Sequence, residues 1–386
     1  MLQRFFFLVI IAFVLVGCSE NNSSPYALPP PQVIEEPVFD DSNVSEDPVF
    51  EDSNVSEDPK ASLSLEPYYS QQWTLHRDRA FYVQNGIVAD AHIHADGLME
   101  AYRGDGVKIA IIDDGLDTYH EDLNGAIVAT YDLATGGEDV SHNDSLSYHG
   151  TAVTGIVGAR VNAKGVAGVA SEAQIIFLKF KPLMRDSEVI EIFERAAAFG
   201  ADVISNSWGT GNVSPAVKAK LIDLANNGRD GKGICIVFAV GNSDADIEGD
   251  ESSIAEMISV GATNKNNVRA SYSNHGLGLD VVAPGGEYLG ITTLDVSGSD
   301  GGASINEDYL LYNDSNGFVG TSASAPIVSG VIALMLEKNP NLTRVEIENI
   351  LKNSADKIGT LRYNRNGRND YYGHGKVNLG SAMNRI

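Results

Sequence analysis

Val107-Lys108-Ile109-Ala110-Ile111-Ile112-Asp113-Asp114-Gly115 is an apolar run of strand length that ends in two carboxylates and a glycine turn. A strand apolar on nearly every residue is covered on both faces, as strands are in a parallel sheet between helices. The same pattern repeats outward from it. Gln174 to Phe180, Asp202 to Ser205, Gly233 to Val240 and Met257 to Gly261 read as further strands. Asp186 to Phe199 has helical spacing, with Ile190, Phe193 and Ala197 on one face, and Pro215 to Asn226 reads as a second helix. Ala323 to Leu336 is an almost wholly apolar helix, which places it in the core. The alternation predicts one α/β domain over residues 60–386, built on a mainly parallel β-sheet with helices on both faces.

The chain ahead of that domain is different material. Residues 1–18 carry one cation, Arg4, then an apolar run from Phe5 to Val16 that is short for a membrane span and fits a secretory signal. Leu15-Val16-Gly17-Cys18 resembles a bacterial lipobox, which makes the Cys18 thiol the point of lipid attachment; the alternative is an ordinary signal peptide that contains a cysteine. Ser19 follows, and a residue other than Asp there suits, by analogy with Gram-negative lipoproteins, export to the outer membrane. Residues 19–59 hold eleven acidic residues and no Lys or Arg, and Glu36–Ser45 recurs eleven residues later as Asp47–Ser56. Prolines and like charges leave little to bury, so this segment reads as a disordered linker of about 35–40 Å, or as a duplication with no partner.

Charge and cysteine count exclude several classes. The whole chain has 27 Lys+Arg against 52 Asp+Glu, a net of −25, and residues 60–386 alone have 26 against 41, a net of −15. So acidic a chain is repelled by nucleic acid and by anionic lipid surfaces. Its two cysteines cannot build a disulfide framework; Cys235, between Ile234 and Ile236, reads as a buried small hydrophobe. The histidines show no zinc spacing.

Three segments carry chemistry. Asp113 ends a buried strand, where ligands and catalysis collect in such sheets. His149-Gly150-Thr151 opens a helix of small residues, and Gly320-Thr321-Ser322-Ala323-Ser324-Ala325-Pro326 places Ser322 at a turn–helix junction. Alone, each has a structural reading: a strand-end carboxylate, a satisfied histidine, a helix cap. Together they supply an acid, a base and a nucleophile in the order Asp, His, Ser.

That order and those motifs resemble the subtilisin-like serine proteases (subtilases, peptidase family S8) over roughly residues 66–386. Subtilisin itself has this chain order. The resemblance implies the subtilisin-like three-layer fold and a serine endopeptidase acting on proteins or peptides. In it Ser322 is the nucleophile, His149 the base, and Asp113 the residue that holds the imidazole. Val237-Phe238-Ala239-Val240-Gly241-Asn242 resembles the segment that supplies the oxyanion donor, Asn242. Glu66 to Leu75, Asp113-Asp114-Gly115, Ser205-Asn206-Ser207-Trp208-Gly209 and the Ser322 motif look like the kexin/furin-type branch. Two departures stand out. The chain ends at Ile386 with no room for that branch's P domain, and Val153 stands where kexins often carry a Cys.

The resemblance also assigns binding residues. Ser207, Trp208 and Gly209 would form the edge that pairs with an extended substrate, with Asp114 alongside. Glu248, within the acidic run Asp244, Asp246, Glu248, Asp250 and Glu251, would favour a basic side chain if it lined a pocket, and is otherwise part of a solvated acidic loop. The family's strong calcium site maps onto Glu66, Asp122 and Asn162, with main-chain carbonyls of Arg160, Lys164 and Val166; the alternative is a loop without an ion. Between Cys18 and Glu66 there is only the acidic tail. The expectation is therefore a monomer, lipid-anchored in the cell envelope, that folds with calcium or a separate chaperone and loses no large propeptide. The rival reading is a catalytically silent surface lipoprotein that keeps the fold.

Overall fold

The computed structural model describes residues 61–142, 147–298, 307–313 and 317–386. The signal, Cys18 and linker expectations lie outside the described residues. Seven parallel strands form the main sheet: β1 (Lys108–Asp113), β2 (Ile127–Asp132), β3 (Gln174–Lys179), β4 (Val203–Asn206), β5 (Cys235–Ala239), β6 (Ile258–Thr263) and β7 (Val281–Pro284). Their spatial order is β2-β3-β1-β4-β5-β6-β7, so the stretch that decided the fold lies inside the sheet between β3 and β4. A short antiparallel pair, β8 (Thr293–Leu294) and β9 (Tyr309–Leu310), stands apart from it.

Alternate strand residues face opposite cores, as the two-residue period requires. Ile109, Ile111, Phe177, Val203 and Val237 face one cluster. Ala110, Ile112, Leu178, Ile204 and Phe238 face the other. The first is covered by α3 (His149–Gly158), α6 (Thr321–Lys338), α7 (Arg344–Ser354) and α8 (Leu379–Met383), with α1 (Arg79–Asn85) and α2 (Leu98–Ala101) at its margin. The second is covered by α4 (Asp186–Ala198) and α5 (Pro215–Asn227). This is the expected three-layer α/β architecture.

One face was misplaced. The buried stripe of α4 is Val189, Ile192, Phe193 and Ala196, while Ile190 and Ala197 are only partly covered. Glu188, not an apolar residue, closes its first turn, its carboxylate accepting the Arg185 backbone N–H and guanidinium, each at 2.8 Å. Helix α6 is buried from Thr321 to Leu336 and is a core helix. Among the described residues, no helix is long and apolar enough to cross a membrane.

Candidate active site

Asp113 is the last residue of β1 and is 1% exposed. Its Oδ1 accepts the Asp114 backbone N–H at 2.8 Å and His149 Nδ1 at 2.8 Å, so the ring proton sits on Nδ1 and leaves Nε2 as the basic nitrogen. Gly150 permits this approach. A Cβ there would lie 2.2 Å from the Gly115 carbonyl oxygen and 3.1 Å from Asp113 Cβ, and backbone cannot yield to it. Burial disfavours a charge on His149, but the Asp113 charge, its hydrogen bond and the Asp114 charge outweigh that and raise the imidazole to about 9. Asp114 accepts the Gly150 N–H at 2.8 Å; burial first, then repulsion from Asp113, pushes its carboxyl up to about 7. The Phe318 ring lies 5.5 Å from the imidazole and walls its side.

Ser322 is the second residue of α6, at the expected turn–helix junction, and at 9% exposure is largely enclosed. The cause lies four residues on. Pro326 has no N–H for the Ser322 carbonyl, so that carbonyl accepts Ser207 Oγ at 2.9 Å instead. In return Ser322 Oγ donates to the Ser207 carbonyl at 3.1 Å. This reciprocal pair fastens the nucleophile to the residue just past β4. Ile112 is paired with Asn206, so the next step of the register sets Asp113 opposite Ser207, at the usual strand spacing of about 4.8 Å. His149 and Ser322 are therefore tied to neighbouring strand ends. In the rotamer present the hydroxyl faces Ser207 rather than His149, a looseness common before substrate binds.

Asn242 lies three residues past β5. Its Oδ1 accepts both the Thr321 N–H and the Thr321 hydroxyl, each at 2.9 Å. That fixes the amide so that Nδ2 is the outward donor. Gly320 has φ 137°, a region that favours glycine; the Cβ it lacks would lie 3.1 Å from Asn242 Nδ2 and 3.6 Å from the Ser322 backbone nitrogen. Two donors thus border one small space kept open by the glycine.

The expected binding residues divide. Ser207–Gly209 continue past the β4 ladder, but the Trp208 indole turns inward, donating to the Ile112 carbonyl at 2.9 Å and packing on Phe180, Phe193 and Phe238. Only the backbone is left for an extended partner. Glu248 is exposed on its turn. Asp250 and Glu251 hold the loop instead: Asp250 accepts the Gly211 N–H at 2.9 Å, and Glu251 accepts the Thr210 N–H and hydroxyl at 2.9 and 2.6 Å. Asp244 pairs with Arg269 at 2.8 Å. Thr321, Gly150 and Pro326 were not singled out from the sequence, although the Ser-to-Pro spacing of four was readable there.

The expected cation residues do converge. Glu66, 3% exposed, accepts the Ala163 and Lys164 N–H groups at 2.7 and 3.0 Å; Asp122, fully buried, accepts the Val166 N–H at 3.0 Å. Asp122 Oδ1 and Asn162 Oδ1 are buried oxygens without a hydrogen-bond partner. Burial first, then repulsion from Asp122, raises the Glu66 carboxyl. Arg160 sends its guanidinium to the Ser171, Ala173 and Gly125 carbonyls, and Lys164 pairs with Glu121, so both cationic heads point elsewhere. Unpartnered hard oxygens beside a buried carboxylate are a donor set that suits Ca²⁺.

A parallel-sheet scaffold that sets a carboxylate, an imidazole and a serine at its strand ends defines a serine-hydrolase-like class of site. The subtilase family model (Peptidase_S8) matches residues 104–375, and the chain belongs to that family. A calcium-dependent protease of Nostoc sp. is 34% identical over 343 residues, covering 82% of this chain and 51% of the relative. Subtilisin Savinase of Lederbergia lenta is 35% identical over 286 residues, 72% of this chain and 91% of that protein. The chain thus spans about half the length of the calcium-dependent proteases it matches. Among solved structures, the Aeromonas sobria serine protease in complex with its chaperone superposes with a TM-score of 0.72 at 22% identity, covering 83% of this chain and 67% of that one. At that identity the likeness speaks for the fold alone.

Proposed function

We propose that this chain is a serine endopeptidase that hydrolyses protein or peptide substrates through an acyl-enzyme on Ser322. The observation that carries the reading is the fastening of His149 and Ser322 to adjacent strand ends, one through Asp113 and the other through Ser207. An extended substrate pairs with the Ser207–Gly209 backbone. Ser322 Oγ rotates from the Ser207 carbonyl and attacks the scissile carbonyl while His149 Nε2 takes its proton. Asp113 holds the ring and stabilises the imidazolium. The oxyanion enters the space beneath Gly320, met by Asn242 Nδ2 and the Ser322 N–H. His149 then protonates the leaving amine, and water completes the cycle by the reverse path. A fluorophosphonate probe tests this directly: it should label Ser322, and no labelling of folded, calcium-loaded protein would favour the silent binding lipoprotein.

The pH dependence has a definite sign. His149 must be neutral to accept the proton, so kcat/KM rises as pH rises through its titration. With the imidazole raised to about 9, the acid limb sits well above the ordinary histidine value near 6.5. Asp114→Asn removes one of the charges that hold the proton, so the limb moves to lower pH. A limb that stays put or moves up would show that Asp114 exerts no field on the base.

Calcium is the second part of the proposal, with Glu66, Asp122 and Asn162 and main-chain carbonyls of Arg160, Lys164 and Val166 as its cradle. Glu66 and Asp122 would hold Ca²⁺ with their carboxylates and Asn162 with its side-chain oxygen, and the ion would supply the positive charge that these buried groups lack. At a hundredfold its Kd, calcium adds about 2.7 kcal/mol of stability, a rise of several degrees in Tm. Asp122→Asn should remove that calcium-dependent rise; an equal rise in the variant would place the ion elsewhere.

The motifs quoted above support a kexin/furin-like branch. Cys18 and the acidic tail support a lipid-anchored envelope protein, a monomer whose spacer holds the domain off the membrane, outer if the cell is Gram-negative. Each buried CH₂ of an acyl chain contributes about 0.8 kcal/mol to such an anchor. Cys18→Ser should move the protein from the membrane to the soluble fraction; unchanged partitioning would refute the anchor. A separate folding chaperone is a further part of this reading, in line with the Aeromonas sobria serine protease, which was solved in complex with its chaperone.

A further inference from the structure

We infer that the β8–β9 hairpin is a strut coupling the cation cradle to the catalytic helix, with Tyr309 and Thr293 as its positioning residues at the two ends; the inference rests on the calcium reading above. At the cradle end, Tyr309 lies over Gly165, where a Cβ would come within 1.9 Å of its ring. Its hydroxyl donates to Glu121 Oε1 at 3.1 Å, next to Asp122, and its ring meets those of Tyr68 and His120, each at 5.2 Å. His120, 1% exposed, accepts the Asp122 N–H on Nδ1 and donates from Nε2 to the Asp308 carbonyl at 2.8 Å, joining the cradle to the residue before β9.

At the catalytic end, Leu294 pairs with Tyr309 across the hairpin, and β8 packs against α3. A Cβ on Gly155 would come within 2.5 Å of the Leu294 side chain and 2.7 Å of Thr293 Oγ1. Thr293 is fully buried, and its hydroxyl donates to the Ala152 carbonyl at 2.7 Å, three residues from His149. Ser297 donates from its N–H and hydroxyl to Asp117 Oδ2, and the Asp117 N–H donates to Thr151 Oγ1 on the same helix. The loop after Asp113, the helix that carries His149 and the hairpin are therefore one connected body with the Glu121–Asp122 turn. An ion that binds better when that turn is held must favour the held hairpin, and by linkage a held helix favours the ion.

Hydrogen exchange on the full-length chain, carrying Ser322→Ala to stop self-cleavage, tests the coupling without reading activity. Calcium should slow exchange at 293–298, at 307–310 and in the first turns of α3 by a factor within the 5–150-fold span of ordinary couplings, roughly. Thr293→Val should still bind calcium by calorimetry, more weakly by the coupling lost, and keep the hairpin response, but lose the response of α3; Thr293→Ser should restore both. Tyr309→Phe, which keeps the ring over Gly165 and loses the hydroxyl, should weaken calcium binding and both responses. Calcium binding with α3 exchange unchanged, or an α3 response intact in Thr293→Val, would overturn the strut while leaving the calcium reading in place. No calcium binding by the parent chain would overturn both.

Discussion

Ser322→Ala should reduce peptide hydrolysis by about 10⁶-fold, the scale found for subtilisin, itself a member of this family. Covalent labelling by a fluorophosphonate should vanish with it. The fold should survive, because the lost hydroxyl makes one hydrogen bond, to the Ser207 carbonyl, and the Ser207 hydroxyl still reaches the carbonyl of residue 322. Such a loss, which leaves the buried Ser207 carbonyl without that donor, costs about 1–3 kcal/mol, visible as a fall in Tm. Single-turnover assays with a chromogenic peptide decide the matter. Residual hydrolysis within tenfold of the parent, in a protein that still melts cooperatively, would mean that Ser322 is not the nucleophile.

Asn242→Ala should lower kcat by about 10²–10³-fold and leave KM close to that of the parent; that range comes from the equivalent donor in subtilisin. The reason for the split is that Nδ2 faces the space where negative charge develops, not the ground-state carbonyl. A loss confined to KM would place Asn242 in substrate binding instead. The variant also strands the Thr321 N–H and hydroxyl, so its Tm must be measured alongside. Thr321→Val separates the two effects. It keeps the backbone donor to Asn242 Oδ1 and loses the hydroxyl one, along with the acceptor for the Gly241 N–H at 3.1 Å, and should give a smaller fall in kcat.

Much of this is legible in the sequence alone. Apolar runs on both faces of every central strand required a sheet buried between helices, and β1 ends at the carboxylate the motif marked. The cation residues, scattered over 66, 122 and 160–166, were assigned by resemblance and do meet. The acidic run was harder. Its five acids look alike in sequence, yet Asp244 pairs with Arg269, Asp250 and Glu251 brace the Thr210–Gly211 loop, and Glu248 faces solvent. Charge patterning cannot rank such residues, because their roles depend on which backbone N–H groups the loop turns toward them. The direction of the Trp208 ring was equally closed to sequence reading: the strand-end edge concerns its backbone, while its large apolar ring packs on the Phe180, Phe193 and Phe238 cluster.

Local chemistry along the chain determined the layered sheet, the strand-end carboxylate, the small-residue helix behind His149 and the buried helix behind Ser322, because periodicity and side-chain polarity act over a few residues. Which donors and acceptors meet was decided only in three dimensions. The turning of the Asn242 amide by Thr321, the exchange of hydrogen bonds between Ser207 and Ser322 that Pro326 makes room for, and the bracing of α3 by Thr293 each join groups 79 to 141 residues apart. Directional hydrogen bonds depend on tenths of an ångström, and only the packed backbone sets distances that fine.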